Sequence, residues 1–277
     1  VFTDSDTIEG DSSFTWDGSE LLVVGDISAS NAVKIGKRIV FNDKCNTIIG
    51  HGNISTGSDS GACNIVIGAS SQTARNLNDG TGNIIFGNRT GDKLTDGSHN
   101  IMIGTCAACD QTTASSTIAL GLRAGQQLTT GGCNVILGNS AGCKLQDGAK
   151  NVVIGSTIGP ASDKNCVILI GTNAGKCASS GAIFIGRNAG KDNVANGNIG
   201  IGFDALKDET EGGTGHVAIG CLAMCSTSCN ASTTAVGTQA FRFVVSGSFN
   251  TAMGFRAGEC AFRQNDNENN RFNTVIG

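Results

Sequence analysis

The chain is poor in the residues from which a conventional core is built. Among 277 residues there is one proline, one tryptophan and no tyrosine, and aromatic residues make up 5%. A core of large side chains is thereby excluded, although 39% apolar residues suffice to fill many small ones. Basic charge is also scarce: 19 lysines and arginines, scattered singly, stand against 23 acidic residues, for a net charge of −4. No basic stripe is available to displace counterions from phosphates, which argues against nucleic acid as a partner. No run of 18 apolar residues is present, so neither a membrane-spanning helix nor membrane insertion is expected, and there is no leader with a basic start and apolar core. Beginning on Val1 and ending on a repeat glycine, the sequence reads as a piece of a longer chain.

What is abundant is glycine, 41 residues, and it is periodic. A short apolar run ends on Gly50, Gly68, Gly87, Gly104, Gly121, Gly138, Gly155, Gly171, Gly186, Gly202, Gly220, Gly237, Gly254 and Gly277, at spacings of 15 to 19 residues and a last one of 23. Such a period marks stacked coils. A unit of about 17 residues is too short for a helix pair and its apolar residues lack helical spacing, so each coil must be strands and turns. We read an all-β, parallel β-solenoid (a β-roll) of about fourteen coils with two short strands each.

The residue before each glycine is apolar throughout, and the residue two places earlier is mostly Ile or Val. Strand alternation puts both on one face, which we expect to point into the coil. The residue between them is apolar as well, and a strand apolar on both sides is buried on both sides. Repeated over many coils, an outward stripe exceeds the patch that monomers expose. The candidate subunit-interface residues are therefore Ile48, Val66, Ile85, Met102, Ile136, Val153, Leu169 and Phe184.

Other positions recur. Asparagine stands four residues before the glycine at Asn46, Asn64, Asn83, Asn100, Asn134, Asn151, Asn198, Asn250 and Asn273. It tolerates left-handed backbone, and stacked amides can bond from coil to coil as a ladder. After the glycine comes x-x-Ala, as at Ala124, Ala141 and Ala189, often followed by Gly, which permits a tight corner. A second segment carries Leu94, Leu128 and Leu145. Residues 1–44 differ: Phe14 to Trp16, then Asp17-Gly18, then Leu21 to Val24 gives a hairpin signal, so we divide the chain into a β-rich adaptor at 1–44 and a repeat shaft at 45–277. The polar stretch Gln264 to Asn270 lengthens one coil and reads as a solvated loop.

Sites of chemistry are not evident. The glycines do not form Gly-x-x-x-x-Gly-Lys-Ser/Thr, and the calcium-binding Gly-Gly-x-Gly-x-Asp repeat is absent. His51, His99 and His216 occupy different coil positions with no nucleophile to pair with. No catalytic, cofactor-binding or metal-binding residues are expected, and no cofactor; the chain does not read as an enzyme. Asn53, Asn88 and Asn230 begin glycan-acceptor triplets. Of twelve cysteines, Cys45 and Cys63 share a coil position one rung apart, ~4.8 Å, and are the disulfide candidates. Cys106-Ala-Ala-Cys109 and Cys221/Cys225/Cys229 resemble metal half-sites without a second half. Most cysteines are expected to be free and buried.

Units such as Asn134-Val-Ile-Leu-Gly138-Asn-Ser-Ala-Gly142 and Asn250-Thr-Ala-Met-Gly254-Phe-Arg-Ala-Gly258 resemble the Asn-x-x-x-Gly-x-x-Ala-Gly repeats of tail-fibre and surface-fibre proteins of phages and large DNA viruses. More loosely they are similar to the heads of trimeric autotransporter adhesins. The resemblance covers 45–277 and implies a left-handed roll, a homotrimer, a place on the virion surface or tail, and a role in host attachment. It implies other virion or tail proteins as partners, and a host-surface glycan or protein receptor. The alternative is a cellular adhesin head or self-assembling extracellular filament.

Overall fold

A computed structural model describes residues 14–16, 21–23, 46–50, 61–68, 73–159, 163–208, 213–227, 232–244, 247–261 and 271–277. Among them every regular element is a strand. None forms a helix long and apolar enough to cross a membrane. Contacts divide the chain into Val1–Val40 and Phe41–Gly277. In the first unit Phe14–Trp16 pairs antiparallel with Leu21–Val23, the hairpin expected around Asp17-Gly18.

The second unit is a parallel β-solenoid. Its sheet contains fourteen strands, and each strand lies beside the next one in the repeat. Thr47–Gly50 stands at one edge and Thr274–Ile276 at the other. Register is exact from rung to rung: Ile84, Ile85 and Phe86 face Ile101, Met102 and Ile103, which face Ile118, Ala119 and Leu120. Below, a rung is named by the glycine that follows its strand.

The second strand expected in every coil is a correction. Outside the main sheet of this unit, the described residues form strands only at Ser226–Thr227 and Phe243–Val244, which pair in parallel. Elsewhere the return path consists of turns and bends, yet it is still bonded between rungs, as by the backbone N–H of Thr95 to Thr112 O (2.9 Å) and of Thr112 to Thr129 O (3.0 Å). The corner that precedes it is left-handed at two positions, and this holds equally in the two coils that form the short strands, at Leu222 (φ 58°), Met224 (46°), Gln239 (62°) and Phe241 (47°). Two places after the glycine Arg123, Ser140 and Asn188 have φ of 56°, 54° and 58°, and two places further Gly125, Gly142 and Gly190 have 58°, 53° and 56°.

Asparagine side chains run as a ladder through the interior. Asn83 Nδ2 donates to Asn64 Oδ1 (3.0 Å) and to Gly97 O (2.9 Å), while its Oδ1 accepts the backbone N–H (2.9 Å) and Nδ2 (3.0 Å) of Asn100. One amide thus clips three rungs together. The left-handed residue is not the asparagine but the one before it, as at His99 (φ 58°), Cys133 (58°) and Lys150 (60°). In one of the five rungs that lack asparagine His216 takes the same place: it is fully buried, and its Nδ1 accepts the Thr233 N–H at 3.2 Å. Asn83→Ala is expected to cost about 3 kcal/mol or more, because several buried groups lose partners at about 1–3 kcal/mol each. A urea-unfolding midpoint within error of the parent would contradict this.

Four columns make the core. The middle strand residue, the corner alanine, the residue after it and the leucine of the second segment are all buried, as in Ile136, Ala141, Gly142 and Leu145. Bulk is traded between two of them. Phe184 is paired with Gly190, and Leu169 with Gly175, whereas small Gly200, Ala218 and Ala235 are paired with Leu206, Met224 and Phe241. In these five consecutive coils a narrow lumen holds the large side chain on one wall or the other.

Candidate interaction face

The placement of the strand faces reverses the sequence expectation. Val66, Ile85, Met102, Ile136, Val153, Leu169 and Phe184 are all 0% exposed, inside the coil of one chain, and so cannot form an interface between chains. The side chain of Ile48 lies outside the described set. The residues on either side of this column point outward instead: Ile65 is 42% exposed, Ile84 38%, Phe86 49% and Met253 53%. Between them lie half-buried members such as Ile118, Leu120, Val135, Leu137, Ile168 and Ile170. Strand alternation separates two faces but cannot say which one is inside when both are apolar. The asparagine position supplied the missing sign. It is two residues before the middle position, hence on its face, and a stacked, fully bonded amide ladder belongs in the interior.

The result is a sheet face of two aliphatic columns. One column is apolar at each rung from Ile49 to Ile276; the other is Ile or Val from Ile65 to Val217 and then becomes Thr234, Thr251 and Thr274. At ~4.8 Å per rung the face is about 60 Å long and on the order of 600 Å² in area. Individual exposed aliphatic residues need no explanation, but a contiguous patch of this size marks an interaction surface.

Polar groups elsewhere form short, local networks. Asp92, 4% exposed, lies 3.3 Å from Arg75 and 4.0 Å from Arg89. Lys93 Nζ meets Asp110 at 2.8 Å, and that bond with its opposite charge raises the lysine pKa. The Thr129 and Thr130 hydroxyls donate to Asp147 and lower its pKa. Because the folded value is depressed, the stabilisation from Asp147 is present above the unfolded carboxylate range and fades as pH falls through the folded value. Burial first, then Asp208 and Asp204, raises the thiol pKa of Cys225. A cavity of about 160 Å³ lies beside the corner that follows Gly155, between Ser140, Cys143, Lys144, Ile158, Lys176 and Cys177.

Cysteine placement differs from the expectation. Cys63 is a free, exposed thiol, and its candidate partner Cys45 lies outside the described residues. Among the described residues a disulfide joins Cys106 and Cys109, the pair whose spacing resembles a metal half-site. Cys133, Cys166, Cys177 and Cys260 are exposed rather than buried, because the residue before the asparagine position, held by Asn134 and Val167 in these rungs, and the corner tips face solvent. Cys221 and Cys225 are free, and Cys229 is outside the described set. No group of three or more His, Cys, Asp or Glu able to hold a metal occurs among the described residues. Asn88 is exposed beside Phe86, with the Thr90 hydroxyl of its triplet turned inward to Gly104 O; Asn53 and Asn230 are not described.

Compared with protein-family models, curated proteins and solved structures, the chain gives no match.

Proposed function

We propose that this chain is a shaft segment of a trimeric virus or phage fibre used in host attachment, a left-handed roll of about fourteen coils whose aliphatic sheet face packs against two sister subunits. The observation that carries the reading is the pair of outward aliphatic columns. An isolated chain leaves them in water, whereas three parallel copies about a common axis bury them against one another, at about 25 cal/mol per Å² of apolar surface removed. The number three and the viral setting come from the repeat resemblance. A solenoid whose inside is filled by its own side chains has a mechanical role, and receptor-binding or assembly regions lie in other parts of the fibre.

Sedimentation equilibrium tests the reading. The parent chain is expected to sediment as a trimer, and the double variant Ile118→Lys, Ile168→Lys, which puts charges on the face without touching the lumen, as a monomer with an unchanged far-ultraviolet strand signal. A parent that is a stable monomer with this face in water would overturn the proposal. Flanking sequence separates the fibre from the cellular adhesin: a downstream self-cleaving chaperone domain marks the first, a membrane barrel the second.

A further inference from the structure

Adhesion between copies is not enough for a shaft; the copies must also agree on height, and this inference rests on the face-to-face assembly proposed above. A ladder of near-identical aliphatic rungs adheres well but specifies register poorly. Sliding one copy by a single rung, ~4.8 Å, forfeits contacts only at the ends and remakes the rest, the weakness of any uniform strand surface. A second copy is the occupant that fits this face: it carries the same rung spacing along the same length. The roughly 600 Å² that each copy offers approaches the ~800 Å² per partner of stable interfaces.

Register must then come from a place where the columns are not uniform. Among the two outward columns Phe86 is the one aromatic residue, half exposed and set between Ile67 and Ile103 on the neighbouring rungs. We propose that Phe86 is the register key of the assembly: sister Phe86 rings meet at one height. A slip drives each ring against a rung shaped for isoleucine, overpacking one level and leaving a void at the next. The aliphatic rungs supply affinity and the one aromatic rung supplies alignment.

The test uses Phe86→Ile in the full chain, with a diazirine-bearing residue placed at Leu120 and a mixture of isotopically light and heavy chains, so that adducts between copies are told from those within one. With Phe86 present, light–heavy adducts are expected on the sister strand Ile118–Leu120 and the rungs touching it. In the variant the chains still assemble, and adducts spread by about two further rungs in each direction. An adduct pattern in Phe86→Ile as narrow as that of the parent overturns the register role while leaving the assembly intact. Absence of light–heavy adducts in the parent, with a monomer by sedimentation, overturns the assembly and the register role together.

Discussion

Replacing Gly121 by alanine is expected to destabilise the solenoid by more than about 4 kcal/mol, in the range reached by few single substitutions. Two effects add. Gly121 has φ of +131°, where an L-residue is strained, and a Cβ there would stand 2.5 Å from the carbonyl oxygen of Gly138 on the next rung. Strain of this kind costs about 1–3 kcal/mol. The contact is with backbone, not with a flexible side chain, so relief requires the Gly121 and Gly138 rungs to separate. That separation lengthens the Gly138 N–H bond to Leu120 O, now 2.8 Å. Each rung contacts only its neighbours, so the damage stays local. Hydrogen exchange should quicken between residues 118 and 140, with distant rungs unchanged. Gly197→Ala is the control: φ is +66° but nothing lies within 4 Å of the new Cβ, so about 1 kcal/mol is expected. If both variants unfold at the same urea concentration, the close approach between rungs is not what the repeat glycine serves.

The second large effect concerns the exchange of bulk across the lumen. Phe184→Ala should cost about 3–5 kcal/mol as a buried aromatic truncation. Gly190→Leu alone should also destabilise, since a Cβ at Gly190 would lie 2.4 Å from the Phe184 ring. Combined, the two create the arrangement that the chain already uses in Ala218 with Met224 and Ala235 with Phe241. The double variant should therefore be more stable than the sum of the singles by about 1–3 kcal/mol, the coupling expected of residues in contact. Leucine at position 190 must adopt a left-handed backbone, as Leu206 does at φ 49°. Additive losses in a double-mutant cycle would mean that the lumen is not a shared volume.

The local logic of the coil was legible in the residues. The glycine spacing predicted the stacked parallel strands, because a rung that passes close to its neighbour on both sides excludes a Cβ once per turn, and that exclusion is visible as a period. The asparagine column predicted the amide ladder, since an amide repeated at one register has its partners above and below. The hairpin before the repeats followed from Asp17-Gly18 between two apolar runs, although the turn itself lies outside the described residues.

The sense of the strand was different. Ile84, Ile85 and Phe86 are alike in hydropathy, so the pattern said that both faces are apolar and nothing about which one is enclosed. The same ambiguity misplaced the interface on Val66, Ile85 and their column. Reading the buried asparagine two residues earlier as a marker of the inner face, and the exchange of Phe184 and Gly190 for Gly200 and Leu206 as the signature of a fixed lumen, would have resolved it from the same letters. The second strand of each coil was overcalled for a related reason. Leu94, Leu128 and Leu145 announce burial, but burial alone does not require extended backbone, and the path around them runs in turns and bends.

By itself, then, the amino-acid order determined the period, the strand positions and the interior ladder, all of which depend on contacts between equivalent residues one coil apart. Only the closed coil decided which aliphatic columns are enclosed and which are offered outward, because that choice depends on how the corners close around a lumen of finite width. The corners are set by backbone conformation at residues whose side chains do not advertise it.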